Sequence, residues 1–329
     1  MKISCESVES GRARPVSRRT PLLLFLVLPL ALSGQAGAPG GNSLFSADTN
    51  LVVLHATVRN HVGAFVSDLG RDDFHVYEDG HPQTIRVFRH EDVPVSLGLL
   101  VDNSTSMRNK QADVAAAALA FARSSNPQDE IFIVNFNQRV TLGLPSEKLF
   151  SANPKELEAA ITRAPAYGMT ALYDAVAEGL DHLKSATTGK KVLIVISDGG
   201  DNASRHTLQQ VLDSAGRSDV IIYTIGIFDL TDGDQKPGVL RKLARSTGGI
   251  AFFPSESREV VPICERIATD IRNQYTIGFT STNPKLDNTY RTIRVTASGP
   301  HRGKLSVRTR EGYIASPQRI ASDSSGSPQ

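Results

Sequence analysis

Val95-Ser96-Leu97-Gly98-Leu99-Leu100-Val101-Asp102-Asn103-Ser104-Thr105-Ser106 decides how the rest of the chain is read. From Val95 to Val101 the run is apolar at nearly every position, with no alternation of polar and apolar residues. A strand buried on both faces has that pattern, and such strands belong to parallel sheets covered by helices. The run stops at Asp102, where a carboxylate and then the hydroxyls of Ser104 and Ser106 stand at alternate positions.

A second apolar strand, Lys191-Val192-Leu193-Ile194-Val195-Ile196, stops in the same way at Ser197-Asp198-Gly199-Gly200-Asp201. Further strands are predicted over 131–136, 220–226 and 250–253. Helices are predicted over 110–123, 154–163 with Pro154 in the first turn, 171–184, 207–215, 238–246 and 260–271. Apolar strands alternating with amphipathic helices predict an α/β fold, a doubly wound and mostly parallel sheet, over residues 94–273.

Outside that span the grammar is different. Residues 51–58, 64–66, 74–78 and 83–88 read as strands, with turns at 60–63 and at Asp79-Gly80, the strongest short hairpin signal. Residues 274–279, 290–297 and 304–310 return to alternation. Neither β-rich segment is large enough to bury a core alone. The two are therefore expected to pack into one small β-sandwich-like module, with the α/β domain inserted between residues 39–93 and residues 274–315.

Residues 1–38 read as a secretory signal. Arg12, Arg14, Arg18 and Arg19 precede a short apolar run, residues 22–32, and Ala36-Gly37-Ala38 offers a cleavage site. The run is too short to span a bilayer comfortably. Arg18-Arg19 has some twin-arginine character, but Pro21 stands where a large apolar residue is usual, so ordinary secretion is the expectation. The mature chain is expected to be periplasmic or secreted, without a membrane span, and the tail over 316–329 to be disordered. The formal charge of +2 belongs to the leader, since the remainder sums to about −1. Nothing in it argues for nucleic acid. Cys264 is left as the lone cysteine of the mature chain, so no disulfide framework is expected, and a buried inert thiol is its reading. Five of the eight histidines, His55, His61, His75, His81 and His90, crowd the first β-rich segment at spacings too irregular for a zinc site. Solvated strand and turn positions are expected for them.

In an open parallel sheet, ligands bind beyond the carboxyl ends of the strands, where the strand order reverses. Asp102 and Asp198 close two such strands, and Gly168-Met169-Thr170 immediately precedes a helix. Mg²⁺ takes six oxygens in near-octahedral geometry. Asp102 and Asp198 would balance its charge, while Ser104, Ser106 and Thr170 would fill positions without adding more. At least one position is left for water or an incoming carboxylate. The competing reading is that Ser104 and Ser106 cap the following helix and Asp198 starts a turn; capping gives no role to Thr170.

Asp102-x-Ser104-x-Ser106, Thr170 in Gly168-Met169-Thr170-Ala171-Leu172-Tyr173-Asp174, and Asp198-Gly199 together resemble the von Willebrand factor type A domain with a complete metal-ion-dependent adhesion site, over about residues 94–272. The flanking Asp72-Asp73-Phe74-x-Val76-x-Glu78-Asp79-Gly80 and the terminal Arg310-Glu311-Gly312-Tyr313 are similar to a bacterial, acidobacterial-type group of secreted relatives. Met169 departs from the glycine common before the threonine. The resemblance implies Mg²⁺ or Mn²⁺ touched by the oxygens of Ser104, Ser106 and Thr170, with Asp102 and Asp198 binding directly or through water. It also implies a protein partner offering an exposed acidic residue.

A binding module and not an enzyme is therefore expected. No Walker loop or Gly-x-Gly-x-x-Gly follows a strand, and Ser104 stands where an aspartyl-phosphate enzyme has its second Asp. Two alternatives stay open: a Mg²⁺-dependent hydrolase or phosphoryl-transfer enzyme, and an envelope scaffold whose metal site is vestigial. Of the smaller signals, the sequons at Asn103 and Asn202 read as chance. Asp201 reads equally as an orienter of metal-bound water or as a helix cap, and Asp174 as a loop anchor. The acidic loop 228–237 reads as a solvated turn.

Overall fold

The computed structural model describes residues 51–90, 92–124, 126–228, 235–299 and 303–317. The leader and linker over residues 1–47, the loop acids Asp229, Asp232 and Asp234, and the tail from residue 318 lie outside the described residues.

The first strands are β1 (Leu51–Arg59), β2 (Phe74–Glu78), β3 (His81–Gln83) and β4 (Ile85–Arg89). Asp79 and Gly80 join β2 to β3 with φ of 47° and 84°, the left-handed pair that a two-residue hairpin with matching twist needs. The strand expected over 83–88 is in fact split. Only its first residue, Gln83, joins the hairpin, while β4 joins a different sheet, where Phe88 packs on Phe74 and Tyr275 with ring centroids 5.4 and 5.7 Å apart. The strand expected over 64–66 is reduced to one bridge, Arg59 to Phe65.

Next comes the α/β series: β5 (Val95–Asp102), α1 (Gln111–Ser124), β6 (Glu130–Phe136), β7 (Val140–Leu142), α2 (Pro154–Thr162), α3 (Leu172–His182), β8 (Lys190–Ser197), α4 (Leu208–Arg217), β9 (Ile221–Gly226), α5 (Pro237–Ser246), β10 (Ala251–Phe252) and α6 (Val260–Arg272). Their strands form one sheet in the order β10-β9-β8-β5-β6-β7, parallel throughout except for the β6–β7 edge pair. Every residue of β5 is buried, as its unbroken apolar run requires. The chain leaves β5 for β6 on one side and later returns to β8 on the other. The order therefore reverses between β5 and β8, whose register pairs Val101 with Ile196. Their carboxyl ends flank the crevice where such sheets bind ligands. The helices carry their own start signals: Asn153 accepts from Lys155 N ahead of Pro154, and Thr207 forms a capping box with Gln210.

The chain ends on β11 (Tyr275–Thr280), β12 (Tyr290–Ala297), β13 (Ser306–Arg308) and β14 (Gly312–Ile314). These complete two antiparallel sheets, ordered β13-β1-β11-β4 and β14-β12-β2-β3. In both sheets strands from before the α/β series pair with strands from after it: β1 pairs with β11 from Leu51–Thr280 to Ala56–Tyr275, and β2 pairs with β12 through Val76–Val295. Neither segment is a sheet alone. Leu54, Val58, Phe74, Val76, Tyr275, Phe279, Ile293 and Val295 make their common core, separate from the core of the α/β domain. The expected β-sandwich-like module with the α/β domain inserted in it is the observed architecture.

Cations at the seam close helix ends that would otherwise leave bare carbonyls. Lys190 Nζ donates to Ile271 O of α6 at 2.8 Å, and buried Arg310 donates to Gly216 O in the last turn of α4 at 3.0 Å and to Ser218 O just past it at 2.6 Å. Buried Asp270 accepts from Tyr223 Oη at 2.6 Å, from Arg59 at 3.4 Å and from Arg308.

One expectation about the histidines is corrected here. His61, His75 and His81 are exposed, but His55 points into the seam at 7% exposure, because β1 is covered on that face by the α/β domain. Burial first, then the charges of Lys190 and Arg310, hold its pKa down at about 3. The unfolded chain takes up this proton near the ordinary 6.5, so His55 contributes stability that is present above that value and is lost as pH falls towards 3. Between pH 7 and pH 5 the loss amounts to about 2 kcal/mol. Urea unfolding at the two pH values should show a smaller drop in His55→Gln than in the wild type by about that amount.

Candidate metal centre

Asp102 is the last residue of β5 and is 1% exposed; Asp198 follows the last residue of the adjacent β8 and is 4% exposed. Parallel pairing of the two strands sets their ends side by side. Asp102 Oδ1 accepts Ser104 N at 2.9 Å, which folds the loop back over the strand end, and its Oδ2 accepts Ser197 Oγ at 2.6 Å. Ser197 Oγ in turn accepts Gly199 N at 3.0 Å. Gly199 has φ of 84°, and a Cβ there would meet Lys236 O at 2.6 Å, so only glycine fits this turn.

The two serines do not cap. Ser104 occupies the N-cap position of a short 3-10 turn, Thr105–Lys110, yet its side chain makes no capping bond. Its Oγ lies instead 3.1 Å from Ser106 Oγ. Thr170 comes from the loop before α3. Its N donates to Asn202 Oδ1 at 2.8 Å, and its carbonyl accepts Asn202 N and Ala203 N at 3.0 Å each. Among the described residues, no hydrogen bond is formed by Thr170 Oγ1 or by Asp198 Oδ2; Asp198 Oδ1 accepts Gly200 N at 3.0 Å, the turn that the sequence also allowed. The three loops are tied to one another: Thr105 N and Oγ1 both donate to Gly168 O at 3.1 Å, Tyr167 N donates to Asn103 O at 3.0 Å, and Asn202 clamps Thr170.

The electrostatics of this face are unfavourable for the protein alone. Neither Asp102 nor Asp198 has an ion pair among the described residues. Burial above all, and the charge of Asp198, push the Asp102 pKa up to about 6 against the hydrogen bonds from Ser104 and Ser197. Two buried carboxylates of like charge, with hydroxyl oxygens beside them, are a donor set suited to a hard divalent cation. Asp102, Ser104, Ser106, Thr170 and Asp198 would hold it.

A family model for the von Willebrand factor type A domain matches residues 97–266, just over half of the chain. The chain belongs to the von Willebrand factor type A family. Domains of this family are in general protein-interaction modules. No curated protein sequence matches the chain significantly. Among solved structures, it is similar to a von Willebrand factor type A protein from Catenulispora acidiphila, with 12% identity, 83% of this chain and 76% of that one covered, and a TM-score of 0.49. It is also similar to the domain of the type V pilus tip protein Mfa5 from Porphyromonas gingivalis, with 14% identity, 54% and 95% covered, and a TM-score of 0.43. A third is proximal thread matrix protein 1 from the mussel byssus, described with a zinc-occupied MIDAS motif, at 17% identity and a TM-score of 0.47. That match covers 59% of this chain, which spans about half (49%) of the byssus protein's length.

Two functional residues were invisible to sequence reasoning. Ser197 reads as the end of an apolar strand, and only the β5–β8 register shows that it faces Asp102. Asn202 reads only as part of a chance sequon, and it fixes Thr170. Asp201 is resolved as a helix cap, its Oδ2 accepting Tyr173 N of α3 at 3.0 Å and Ser204 Oγ at 2.6 Å. Asp174 anchors the loop at Arg205 and His206 through their backbone N–H groups. Asn103 is buried, with its amide spent on Val101 O and Asn135 Oδ1.

Removing the buried Ser197 hydroxyl leaves Asp102 Oδ2 and Gly199 N short of a partner. Ser197→Ala should therefore lower stability in EDTA by about 1–3 kcal/mol. Ser106→Ala, at a half-buried hydroxyl, should stay within about 0.5 kcal/mol of the wild type in the same denaturant titration.

Proposed function

We propose that this protein is an extracytoplasmic, Mg²⁺-dependent protein-binding module whose metal face captures an acidic residue of a partner. The observation that carries the reading is the pair of buried carboxylates, Asp102 and Asp198, set at adjacent strand ends with no basic counter-charge among the described residues; Ser104, Ser106 and Thr170 would add their hydroxyls. A bound Mg²⁺, or Mn²⁺ in its place, supplies a Lewis-acidic position that an incoming carboxylate completes. The chain's own residues do the rest. Asp102 and Asp198 bring the charge, Ser197 and Asn202 hold Asp102 and Thr170 in place, and the Thr105–Gly168 bonds keep the first and second loops in register. A face whose donors are already hydrogen-bonded into position loses little order on meeting a partner. The leader read in residues 12–38 supports the extracytoplasmic setting. Among the described residues, no helix is long and apolar enough to cross a membrane.

The test is thermal and chemical unfolding of the wild type and Asp102→Asn, each in Mg²⁺ and in EDTA. Mg²⁺ at about a hundredfold over its Kd should stabilise the wild type by about 2.7 kcal/mol and leave the variant unmoved. In EDTA the variant should be at least as stable as the wild type, because one of two buried like charges is gone. A partner captured from envelope extract in Mg²⁺ should elute with EDTA and be missing from the variant. Identical wild-type melting in EDTA and in about millimolar Mg²⁺ would sink the metal reading. Mg²⁺-dependent turnover of phosphate esters that vanishes in Asp102→Asn would make the protein an enzyme instead.

A further inference from the structure

Charge is also unbalanced far from the metal face, at the seam between the α/β domain and the β-module. Lys190 is 1% exposed there, and its hydrogen-bond partner is the carbonyl of Ile271. The seam's buried carboxylate, Asp270, is already shared among Arg59, Arg308 and Tyr223, while Asp92 and Asp129 are paired with Arg272. An ammonium group carries three N–H donors, and among the described residues one of those on Lys190 is used. Burial, its largest influence, holds the Lys190 pKa down at about 8.

A cleft of about 470 Å³ opens beside this lysine, at the end of β5 and β8 opposite the metal face. Lys190, Thr187 and Thr188 line it from the α/β domain, and Arg89 and Thr276 line it from the module. Arg89 and Thr276 are cross-strand partners on β4 and β11, so both side chains stand on the same face of the sheet. Arg89 is exposed and makes no ion pair among the described residues. Glu130 also lines the cleft, but its carboxylate is occupied: Oε2 accepts Ser96 Oγ at 2.5 Å and Thr187 N at 3.0 Å, and Oε1 accepts Thr187 Oγ1. The cleft therefore holds two cations against one carboxylate, and the oxygens of that carboxylate are held by Ser96 and Thr187.

We infer that this cleft binds a small organic oxyanion, a molecule bearing a carboxylate or phosphate, clasped between Lys190 of the α/β domain and Arg89 of the β-module. The volume is in the range of small-molecule sites. Asp92 and Asp270 reach the buried ammonium only through space, and an anion in the cleft adds a further counter-charge where the low dielectric makes pairing count most. Because its two cationic contacts come from different parts of the fold, the ligand would fasten the module to the domain.

The experiment uses the full chain in EDTA, so the outcome is independent of the metal face. Succinate and inorganic phosphate are titrated separately at constant ionic strength with chloride as the control, and melting and calorimetric heat are read. At least one probe should raise the melting temperature saturably in the wild type, and the stronger of the two identifies the anion class. Arg89→Ala, on the surface, should weaken that binding about tenfold or more. Lys190→Met should remove it, and if that variant does not fold, Arg89→Ala decides alone. The inference fails if neither probe acts by about 10 mM, or if Arg89→Ala responds like the wild type.

Discussion

Asp102 and Asp198 finish adjacent parallel strands, and parallel pairing leaves them no choice but to face the same crevice. Each is buried, and no basic side chain among the described residues answers either one. Much of the surrounding structure can be understood as managing that constraint. Ser197 and the backbone of Ser104 hold the two oxygens of Asp102, and Gly200 N holds one oxygen of Asp198. These bonds orient the carboxylates without neutralising them, and burial above all, with the charge of Asp198 behind it, raises the Asp102 pKa. A polypeptide selected only for stability would place apolar groups or an ion pair at such a position. Retaining two charges there is what the proposed cation site requires.

The inserted architecture bears on how this face is supported. The α/β domain is entered from β4 and left through α6 into β11, and β4 and β11 are neighbours in one sheet. Both ends of the domain are thereby fixed to the same rigid element, on the side remote from the metal face. Arg310 and Arg308 then tie the end of α4 and the buried Asp270 across the seam. The domain is seated on the module by packing and by charge, not tethered through a flexible linker.

How far the sequence reached can be traced residue by residue. The nearly continuous apolar runs at 95–101 and 192–196 identified the two central strands, and with them the carboxyl-edge positions of Asp102 and Asp198. The alternation in the flanking segments identified strands, and their small size required them to pair with each other. What the sequence withheld was register. The break at Thr84 depends on Phe88 finding Phe74 and Tyr275 in three dimensions, which no local pattern encodes. The burial of His55 depends on which face of β1 the α/β domain covers. Ser197 and Asn202 act across strand and loop boundaries, so their roles appear only once β5 lies beside β8 and the Asn202 loop lies beside Thr170. Ser104 and Ser106 show the opposite case: local grammar offered a capping role, and the geometry turns their hydroxyls to each other instead.

The central claim is that these five side chains form one metal site. Titration of Mn²⁺ into the metal-free protein, followed by electron paramagnetic resonance, tests it most directly, because free and bound ion are counted separately. The account predicts one bound ion per chain, displaced by excess Mg²⁺ and lost in Thr170→Val, whose hydroxyl comes from a loop that capping or turn formation would never require. Absence of bound Mn²⁺ in the wild type, or undiminished binding in Thr170→Val, would contradict it.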